Sequence, residues 1–423
     1  GDPAMTRRLV PVLAFALLAS SCATVPAPQP RPAPPVTQPS PERPVERPVS
    51  PPAPPVSGPL RLDREPYIRV GLAWDLDSLT IVPVGRVDLQ VGRGVGRDDT
   101  YTSGGEWEPD RPITIRRVGD AAEAVGRAGA DMRTWRFGRG DTLRFTDPDE
   151  TSLAERRTGW NGRQWRGGFA VFLNPRGKLT LMSVLPLETY LLGVVPGEIG
   201  GLSPALLEAG RAQAIAARSY TLYYRGRRAA EGFDLYGTVE DQVYGPVETE
   251  RPLASQCVES TQGEVALHDG QPIRANYCAD CGGITAEVWE AWPAAPAAYL
   301  SSRRDRSDGS DHCTASPSHR WRERWSAEEF MANVTRYAPG LGVGLPRGGL
   351  GELVDVRVDA RSRSGRVWRL VVRGTTGELA IPSYAVRGVL RRGGRADLIL
   401  RSNLFKIGVR RDPASGRALE VLA

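Results

Sequence analysis

Residues 185–199 read LPLETYLLGVVPGEI, an apolar run that ends at a single carboxylate, Glu198, on a glycine-flanked turn. Ser203 and Pro204 then supply the N-cap and first-turn signals of a helix. Apolar residues recur at helical spacing over residues 205–224, which predicts a long helix there. The pattern therefore places Glu198 just before a helix start.

The residues before this stretch are predicted to be rich in β-structure. Short β-branched or aromatic runs between glycine, aspartate and asparagine turns predict strands at residues 68–72, 79–84, 87–91, 169–173 and 179–184. An amphipathic piece is expected near residues 121–128, and residues 144–163 have the composition of a polar loop.

The residues after the stretch are predicted to mix helices with strands. The expected elements are a helix at residues 252–261, strands at 263–267 and 273–277, a helix at 326–332, and strands at 353–358 and 367–372. Ser326 with Glu329 three residues later gives the second of these helices a capping-box start.

These elements predict an α+β fold whose parts follow one another along the chain. Residues 61–185 form a β-rich N-terminal part, and residues 186–320 form a mixed core with one long helix. Residues 321–423 form a small, β-rich C-terminal α+β part of the same domain.

The first residues have the pattern of an export signal. Residues 1–22 are interpreted as a tag remnant before Met5 followed by a lipoprotein-type signal peptide, because two arginines precede an apolar stretch and a small-residue cleavage site. The cleavage site ends in Cys22, as in a bacterial lipobox, so we expect lipidation of this thiol; an ordinary cleavage site with an incidental cysteine is the alternative. Residues 23–60 are dominated by proline and predict a disordered tether. An exported envelope lipoprotein, in the periplasm or on the outer membrane, is therefore expected.

The composition excludes several classes of function. The net charge of +6 comes from arginines scattered along the chain, since Lys178 and Lys406 are the only lysines, and we expect no nucleic-acid partner. The sequence has no phosphate-binding GxxxxGK[ST] loop, no HExxH and no GxSxG. Three histidines leave little room for a hydrolytic metal site or a Ser-His triad.

Five segments, in their order, resemble the core of the SpoIID/LytB family: VVPGEI, AQAIAARSYTLYY, FDLYGTVEDQVYG, STQGEVALHDGQPIRANYCADCGG and WEAWPAAPAAYL. Weaker echoes extend the resemblance over residues 68–423. The namesakes of the family are the stage II sporulation protein D, a lytic transglycosylase, and the amidase enhancer LytB. The resemblance implies cleavage of the bond between muramic acid and glucosamine in peptide-stripped peptidoglycan, giving 1,6-anhydro products. The alternative that it implies is a non-catalytic amidase enhancer or glycan-binding envelope protein, with an N-acetylmuramoyl-L-alanine amidase as partner.

The resemblance implies that Glu198 is the catalytic acid, because it is the glutamate of VVPGEI. One carboxyl group can protonate the leaving oxygen and then deprotonate the 6-hydroxyl of the sugar, so no second carboxylate is needed. This chemistry requires a protonated Glu198 in a partly dry pocket, whereas a helix start at Ser203 would favour the anion. A carboxylate that merely caps this helix is the alternative.

Further residues in family-like segments are candidates for binding substrate. Arg218 resembles a substrate-contacting arginine, able to bind a lactyl carboxylate or sugar oxygens. The candidates for lining a sugar groove are Gln213, Tyr220, Gln242 and Tyr244, and buried, turn-stabilising roles remain open for Gln213, Gln242 and Tyr244. The pair Gly282 and Gly283 either lets the backbone approach the glutamate's pocket or makes a turn.

A cysteine cluster forms the second candidate site. Cys278 and Cys281 make a CxxC pair, and Cys313 and His319 follow about thirty residues later. Three thiols and an imidazole are typical of a structural zinc site, with His312 as the alternative fourth ligand. A disulfide between Cys281 and Cys313 is the rival in an oxidising compartment.

One departure from the resembling family bears on activity. Relatives usually continue into a Gly-His-Gly-Val-Gly segment near their C-terminus, and this sequence stops at Ala423 before any such segment. The expectation is therefore a truncated sequence or a member without this segment, and the resemblance alone leaves its activity open.

Overall fold

The computed structural model describes Leu62 and residues 64–93, 101–147 and 152–423. The predicted signal peptide, the lipidation site Cys22 and the predicted tether at residues 23–60 lie outside the described residues. All elements below refer to the described ranges.

The N-terminal part is a sandwich of two antiparallel sheets. Its strands are β1 (Tyr67–Leu76), β2 (Ser78–Pro83), β3 (Val87–Arg93), β4 (Tyr101–Trp107), β5 (Ile113–Val118), β6 (Ala121–Ala128), β7 (Asp131–Phe137), β8 (Asp141–Thr146), β9 (Arg157–Trp160), β10 (Arg163–Arg166), β11 (Gly168–Leu173) and β12 (Leu179–Pro186). One sheet has the order β1-β12-β11-β8-β3-β4, with the short strand Leu235–Tyr236 of the core added in parallel beside β1, and the other has the order β10-β9-β2-β5-β6-β7. The two sheets share an apolar core that includes Ile81, Ile115, Leu89, Trp107 and Leu181.

The strands predicted in this part are confirmed, but two other expectations are wrong. The amphipathic piece at residues 121–128 is strand β6, which pairs on both sides with β5 and β7. Its four alanines favour a helix in isolation, and pairing within the sheet outweighs that weak preference. The polar loop expected at residues 144–163 contains the end of β8, all of β9 and the start of β10.

The core packs helices against the β1 and β12 side of this sandwich. Its elements are α1 (Leu187–Ile199), α2 (Leu207–Tyr224), β13 (Leu235–Tyr236), α3 (Pro252–Ser260), β14 (Leu267–His268), β15 (Gln271–Pro272), α4 (Val288–Ala291), β16 (Arg306–Ser307) and β17 (Ser310–Asp311). The helices predicted at residues 205–224 and 252–261 are confirmed as α2 and α3, with a 3-10 turn at Pro204–Leu206 before α2. The strands predicted at residues 263–267 and 273–277 are wrong, since the short hairpin β14–β15 lies between mostly irregular segments.

The stretch at residues 185–199 folds as helix α1 and not as an apolar run leading into a turn. Buried residues such as Leu187, Tyr190, Leu191 and Val194 follow helical spacing. The helix ends where the N–H of Gly200 donates to the Pro196 carbonyl, at 3.2 Å. A helix does start after Glu198, with the 3-10 turn at Pro204–Leu206 and α2, but the turn expected at Glu198 itself is wrong, because this residue lies in the last turn of α1. The flanking glycines suggested that turn, but Gly197 is part of the last turn of α1 and Gly200 caps its end.

The chain bends by 105° between α1 and the segment Pro204–Tyr224. In the part of the chain that the structure describes, no single helix has the length and apolar character to cross a membrane. Helix α1 and the segment Pro204–Tyr224, taken together, are long and apolar enough for a span, by length and composition only.

A buried ion pair joins the two helices. The Arg218 guanidinium is fully buried and donates to both carboxylate oxygens of Glu188 on α1, at 2.8 and 2.6 Å. It also donates to the Glu264 carbonyl at 3.0 Å, while Glu188 accepts from the N–H of Gly263 at 3.0 Å. The prediction of Arg218 as a substrate contact is corrected here, because its donors are turned inward and bind the protein itself.

The C-terminal part combines two small sheets with two helices. Its elements are β18 (Arg324–Ser326), α5 (Ala327–Tyr337), β19 (Leu353–Arg361), β20 (Val367–Gly374), β21 (Glu378–Pro382), α6 (Ser383–Leu390), β22 (Gly408–Arg411) and β23 (Ala418–Leu422). The sheets β18-β23-β22 and β19-β20-β21 share a core with α5 and α6 that includes Phe330, Leu370 and Val386. Ser326 caps α5 by accepting from the N–H of Glu329 at 3.0 Å, as predicted, although α5 runs beyond residue 332. The predicted α+β class is confirmed.

Breaking the Arg218–Glu188 pair should strongly destabilise the helical core. Arg218→Ala is expected to lower the free energy of unfolding by about 3–5 kcal/mol, because it leaves the Glu188 carboxylate buried without its partner. Arg211→Ala on the same helix is the matched control, since Arg211 pairs with the exposed Glu208 and its loss should cost less than about 1 kcal/mol. Urea unfolding of both variants measures the difference, and equal losses would contradict the assignment.

Candidate active site

Glu198 presents a half-buried carboxylate at the end of α1. Its Oε1 accepts a hydrogen bond from the backbone N–H of Val243 at 2.8 Å. Gly197 permits this approach, because a Cβ at that position would lie 3.3 Å from the Val243 carbonyl oxygen. No lysine or arginine forms an ion pair with Glu198 within the described ranges. The carboxylate is therefore held by one backbone contact without a neutralising cation.

Tyr277 is the second group at this carboxylate, and Gln242 fixes its hydroxyl. The Gln242 Nε2 donates to the Ala217 carbonyl at 3.3 Å and to the Tyr277 oxygen at 3.0 Å, while its Oε1 lies 2.7 Å from the Thr221 hydroxyl. Because the Ala217 carbonyl only accepts, the amide has one orientation and the Tyr277 oxygen is an acceptor from it. The proton of the Tyr277 hydroxyl is then free to point at Glu198, with which it interacts.

The groups around Glu198 shift its pKa in opposite directions. Burial raises the pKa of Glu198, while the hydrogen bonds from Val243 and Tyr277 act to lower it, and the net direction is upward. The last turn of α1 adds the negative end of a helix dipole, which disfavours an anion. This effect is opposite to the one expected from a helix start at Ser203, which would favour the anion. Burial also raises the pKa of Tyr277, so this phenol stays protonated and remains a donor.

The predicted groove residues occupy several different environments. Tyr220 packs beside Tyr277, with ring centroids 6.2 Å apart, and thus borders the site. Gln242 is fully buried and supports Tyr277, and Tyr244 is buried against Tyr190 at 5.2 Å between centroids. Gln213 is half-buried on α2, and its Nε2 makes no hydrogen bond to a described residue. For Gln242 and Tyr244 the structure thus favours the buried role that the sequence left open.

The cysteine cluster forms around Cys313. Its Sγ lies 4.0 Å from the Cys281 Sγ and 3.4 Å from the His319 Nδ1. Two sets of possible ligand atoms lie within 4.8 Å of one another, namely Asp280, Cys313 and His319, and Cys281, Asp305 and Cys313.

Part of the predicted ligand set is corrected by this arrangement. Cys278 is exposed and joins neither set, and His312 is likewise exposed at the start of the 3-10 turn His312–Ala315. Asp280 and Asp305, which the sequence reasoning missed, take part instead. An aspartate inside the CxxC segment is the signal that could have suggested the first of them. Burial raises the pKa of the Cys281 thiol to about 12, beside the Asp305 carboxylate.

Gly282 and Gly283 lie at this cysteine cluster and not beside Glu198. Both have positive φ, +71° and +85°, and make a turn directly after Cys281. A Cβ on Gly283 would lie 2.3 Å from the Asp311 carboxylate, so the glycine lets this acid approach the backbone. The turn alternative is therefore the one that the structure supports.

A cavity of about 1470 Å³ lies beside the cysteine cluster and reaches Tyr277, the neighbour of Glu198, although Glu198 itself does not line it. Tyr277 lines it on the side of Glu198, while Cys281 and His319 line it on the side of the cysteine cluster. The opposite wall comes from residues 383–387 and 401–408 of the C-terminal part. Tyr277 is thus shared between the carboxylate and the cavity. Sequence reasoning missed this residue, although a phenol directly before the CxxC pair was a visible signal.

Comparisons with known proteins agree with the sequence resemblance over part of the chain. The family model described as stage II sporulation protein, SpoIID, matches residues 175–268, which include Glu198. These residues are therefore a SpoIID domain, from a family related to sporulation and the cell wall. A second model, described as a domain of unknown function (DUF8618), matches residues 294–419.

One curated relative is similar to part of the chain. An uncharacterized protein of Brachyspira hyodysenteriae is 33% identical over 126 residues, which are 30% of this chain and 33% of that protein. The chain thus spans about a third of the length of this relative. No solved structure matches the chain.

The raised pKa of Glu198 predicts how its replacement affects stability. Glu198→Gln should leave the free energy of unfolding at neutral pH unchanged or higher, because the amide removes a charge that burial disfavours. A raised folded-state pKa contributes stability that is present at low pH and is lost as the pH rises through it. The stability advantage of Glu198→Gln should therefore shrink as the pH falls through the raised pKa of Glu198, and it should be gone below the ordinary glutamate pKa.

Unfolding of both proteins at neutral and acidic pH measures this difference. Glu240→Gln is the matched control, a change of the same type at an exposed position. A variant that is less stable than the wild type at neutral pH by more than about 1 kcal/mol would show that Glu198 is a structural acceptor.

Proposed function

We propose that this protein is a peptidoglycan lytic transglycosylase that cleaves the glycosidic bond between muramic acid and glucosamine. One observation carries the proposal: Glu198 is a half-buried carboxyl with a raised pKa and without a cation partner among the described residues. Structural carboxylates at such depth are usually paired with a cation, as Glu188 is with Arg218. The SpoIID domain match over residues 175–268 adds support, since it includes Glu198.

In the proposed reaction Glu198 acts first as an acid and then as a base. Its protonated carboxyl donates a proton to the glycosidic oxygen, and the bond from the muramic acid C1 to this oxygen breaks. The carboxylate so formed takes the proton of the 6-hydroxyl of the same sugar. The 6-oxygen then bonds to C1 and closes the 1,6-anhydro ring, so no water is consumed and Glu198 is protonated again.

Tyr277 would act as a positioning residue in this sequence. Its hydroxyl donates to the carboxylate and stabilises the ionised state that follows the first proton transfer. Gln242, itself fully buried, holds the Tyr277 oxygen in place. Burial thus favours the protonated state of Glu198, while the hydrogen bonds from Tyr277 and Val243 favour the ionised state.

Location and partners belong to the same proposal. The signal-like residues 1–22, Cys22 and the proline-rich residues 23–60 suggest an exported protein held at a membrane by a lipid. Peptidoglycan glycan strands would be its substrate, after an N-acetylmuramoyl-L-alanine amidase has removed the stem peptides. A tether of this composition would carry the folded part away from the membrane towards the wall.

Glu198→Gln tests the proposed chemistry directly. Removing the acid should lower the yield of 1,6-anhydro sugars from peptide-stripped glycan by roughly 10²–10⁴-fold, as loss of general acid–base catalysis does. The wild-type rate should fall as the pH rises through the raised pKa of Glu198, because only the protonated carboxyl can donate. Mass spectrometry of the products gives the yield, and Glu240→Gln is the control at an exposed position.

A non-catalytic glycan-binding or amidase-enhancing protein is the competing function. One observation favours it: the N–H of Val243 and the Tyr277 hydroxyl both stabilise the ionised carboxylate, which cannot protonate a leaving group. Unchanged product yield from Glu198→Gln, or binding of glycan without any cleavage by the wild type, would favour this alternative. An increased rate of a separate amidase in its presence would then identify the enhancer.

A structural zinc ion at Cys313 is the proposed cofactor. Thiolate, imidazole and carboxylate are ligands that zinc accepts, and the described residues bring them together as Cys281 with Asp305 and as His319 with Asp280, on either side of Cys313. Zinc would hold the segment after Tyr277 in place. Since burial raises the pKa of the Cys281 thiol, binding there would have to release a proton.

Cysteine variants with elemental analysis test the zinc proposal. We expect about one zinc per chain in the wild type, as in a closed structural site, and its loss in Cys313→Ser. Cys278→Ser is the matched control and should keep the metal, because Cys278 is exposed and outside both ligand sets. Protein without zinc in which Cys281 and Cys313 are found as a disulfide would establish the rival.

A further inference from the structure

Two arginines in the wall of the large cavity form no ion pair in the part of the chain that the structure describes. Arg366 is only 6% exposed and donates to the carbonyls of Ile284 and Cys281, at 3.1 and 2.9 Å. Arg387 is half-buried, and its Nε donates to the Leu400 carbonyl at 2.8 Å. Neither forms an ion pair with any described residue, whereas Arg401 in the same wall has Glu323 at 3.6 Å. Desolvation lowers the pKa of Arg387.

One oxygen of a buried carboxylate in the same wall has no donor among the described residues. Glu290 is fully buried, and its Oε2 accepts from the Ser364 hydroxyl at 2.6 Å. Its Oε1 accepts no hydrogen bond from a described residue. A buried oxygen of this kind is costly unless a ligand or water donates to it. The wall of the cavity thus holds an acceptor oxygen without a donor, together with arginines that form no ion pair with a described residue.

Aromatic side chains complete the wall. Trp292 is 46% exposed and Tyr384 is 38% exposed, and both line the cavity. Flat aromatic faces beside hydrogen-bonding groups suit the apolar face of a sugar ring. An acidic saccharide needs groups that bind its anion and its hydroxyls and an aromatic face for its ring. The wall of this cavity has all three.

The arginines of the wall favour an anionic ligand. Glu290 is near enough to Arg366 to interact with it electrostatically, so it offsets part of that positive charge. Arg387 forms no ion pair with a described residue and can therefore pair with an anion in the cavity. A carboxylate fits the planar guanidinium, whereas a phosphate with up to two charges would also meet the repulsion of Glu290.

We propose that this cavity is a binding site for a carboxylate-bearing saccharide, a muramic acid residue whose free lactyl carboxylate pairs with Arg387. A hydroxyl or amide N–H of the sugar donates to Glu290, and Trp292 or Tyr384 packs on its ring. The inference rests on the proposed function only in naming muramic acid as the sugar. Tyr277 joins the cavity to Glu198, so the site would hold a part of the strand next to the bond that is cleaved.

Binding of N-acetylmuramic acid tests the inference without any turnover. We expect the wild type to bind this sugar at least about tenfold more tightly than its carboxyl methyl ester, because the charged hydrogen bonds are lost in the ester. Arg387→Gln should bind the acid as weakly as the wild type binds the ester. Arg363→Gln, the same change at an exposed position, should bind as the wild type does. Titration calorimetry gives all four affinities.

The wild-type comparison of acid with ester keeps the test valid if Arg387→Gln does not fold. Equal affinities for acid and ester, or equal affinities of folded Arg387→Gln and Arg363→Gln, would overturn the inference. Glu198→Gln should bind the acid as the wild type does while losing cleavage. A preference for the acid in a protein that never cleaves glycan would overturn the transglycosylase proposal alone, and cleavage without this preference would overturn only the cavity assignment.

Discussion

The buried pair between Arg218 and Glu188 is the constraint on which the candidate site depends. It ties the first turn of α1 to the middle of α2 and to residues 258–264, in surroundings where either charge alone would be strongly unfavourable. Ion pairs of this kind add little net stability over apolar contacts, but they allow one arrangement of the helices. Since Glu198 lies at the far end of the same α1, fixing that helix sets where the carboxyl emerges.

Three separate segments meet at the Glu198 carboxyl. The end of α1 supplies it, Val243 follows Gln242 in a loop, and Tyr277 comes from the irregular segment before the cysteines. Burial, which shifts the carboxyl towards the neutral form, and two donors, which shift it back, keep both protonation states accessible. A residue that must give a proton and then take one requires such a balance, whereas a structural carboxylate gains from being fixed in one state.

Local patterns in the sequence predicted much of the fold, and long-range contacts account for what they missed. Helix α2, the cap at Ser326 and the alternating strands follow from residues within one or two turns of each other. Helix α1 was missed because it is buried on several sides, so its apolar residues give little amphipathic contrast. The inward position of Arg218 depends on Glu188 and on the Glu264 carbonyl, which lie 30 and 46 residues away, and no local pattern shows such partners.

The C-terminal part completes the site and is not merely attached to it. Arg366 binds the carbonyls of Cys281 and Ile284, Ser364 binds the Glu290 carboxylate, and Asn403 donates to the Glu290 carbonyl at 3.1 Å. These buried contacts hold the segment that carries Tyr277 and the cysteine cluster, because buried hydrogen-bond networks permit few alternative positions. The match to SpoIID at residues 175–268 includes Glu198 but ends before Tyr277. The arrangement around the carboxyl therefore needs residues beyond the SpoIID match, since residues 175–268 alone would lack the phenol that faces it, and the C-terminal part holds the segment that supplies this phenol.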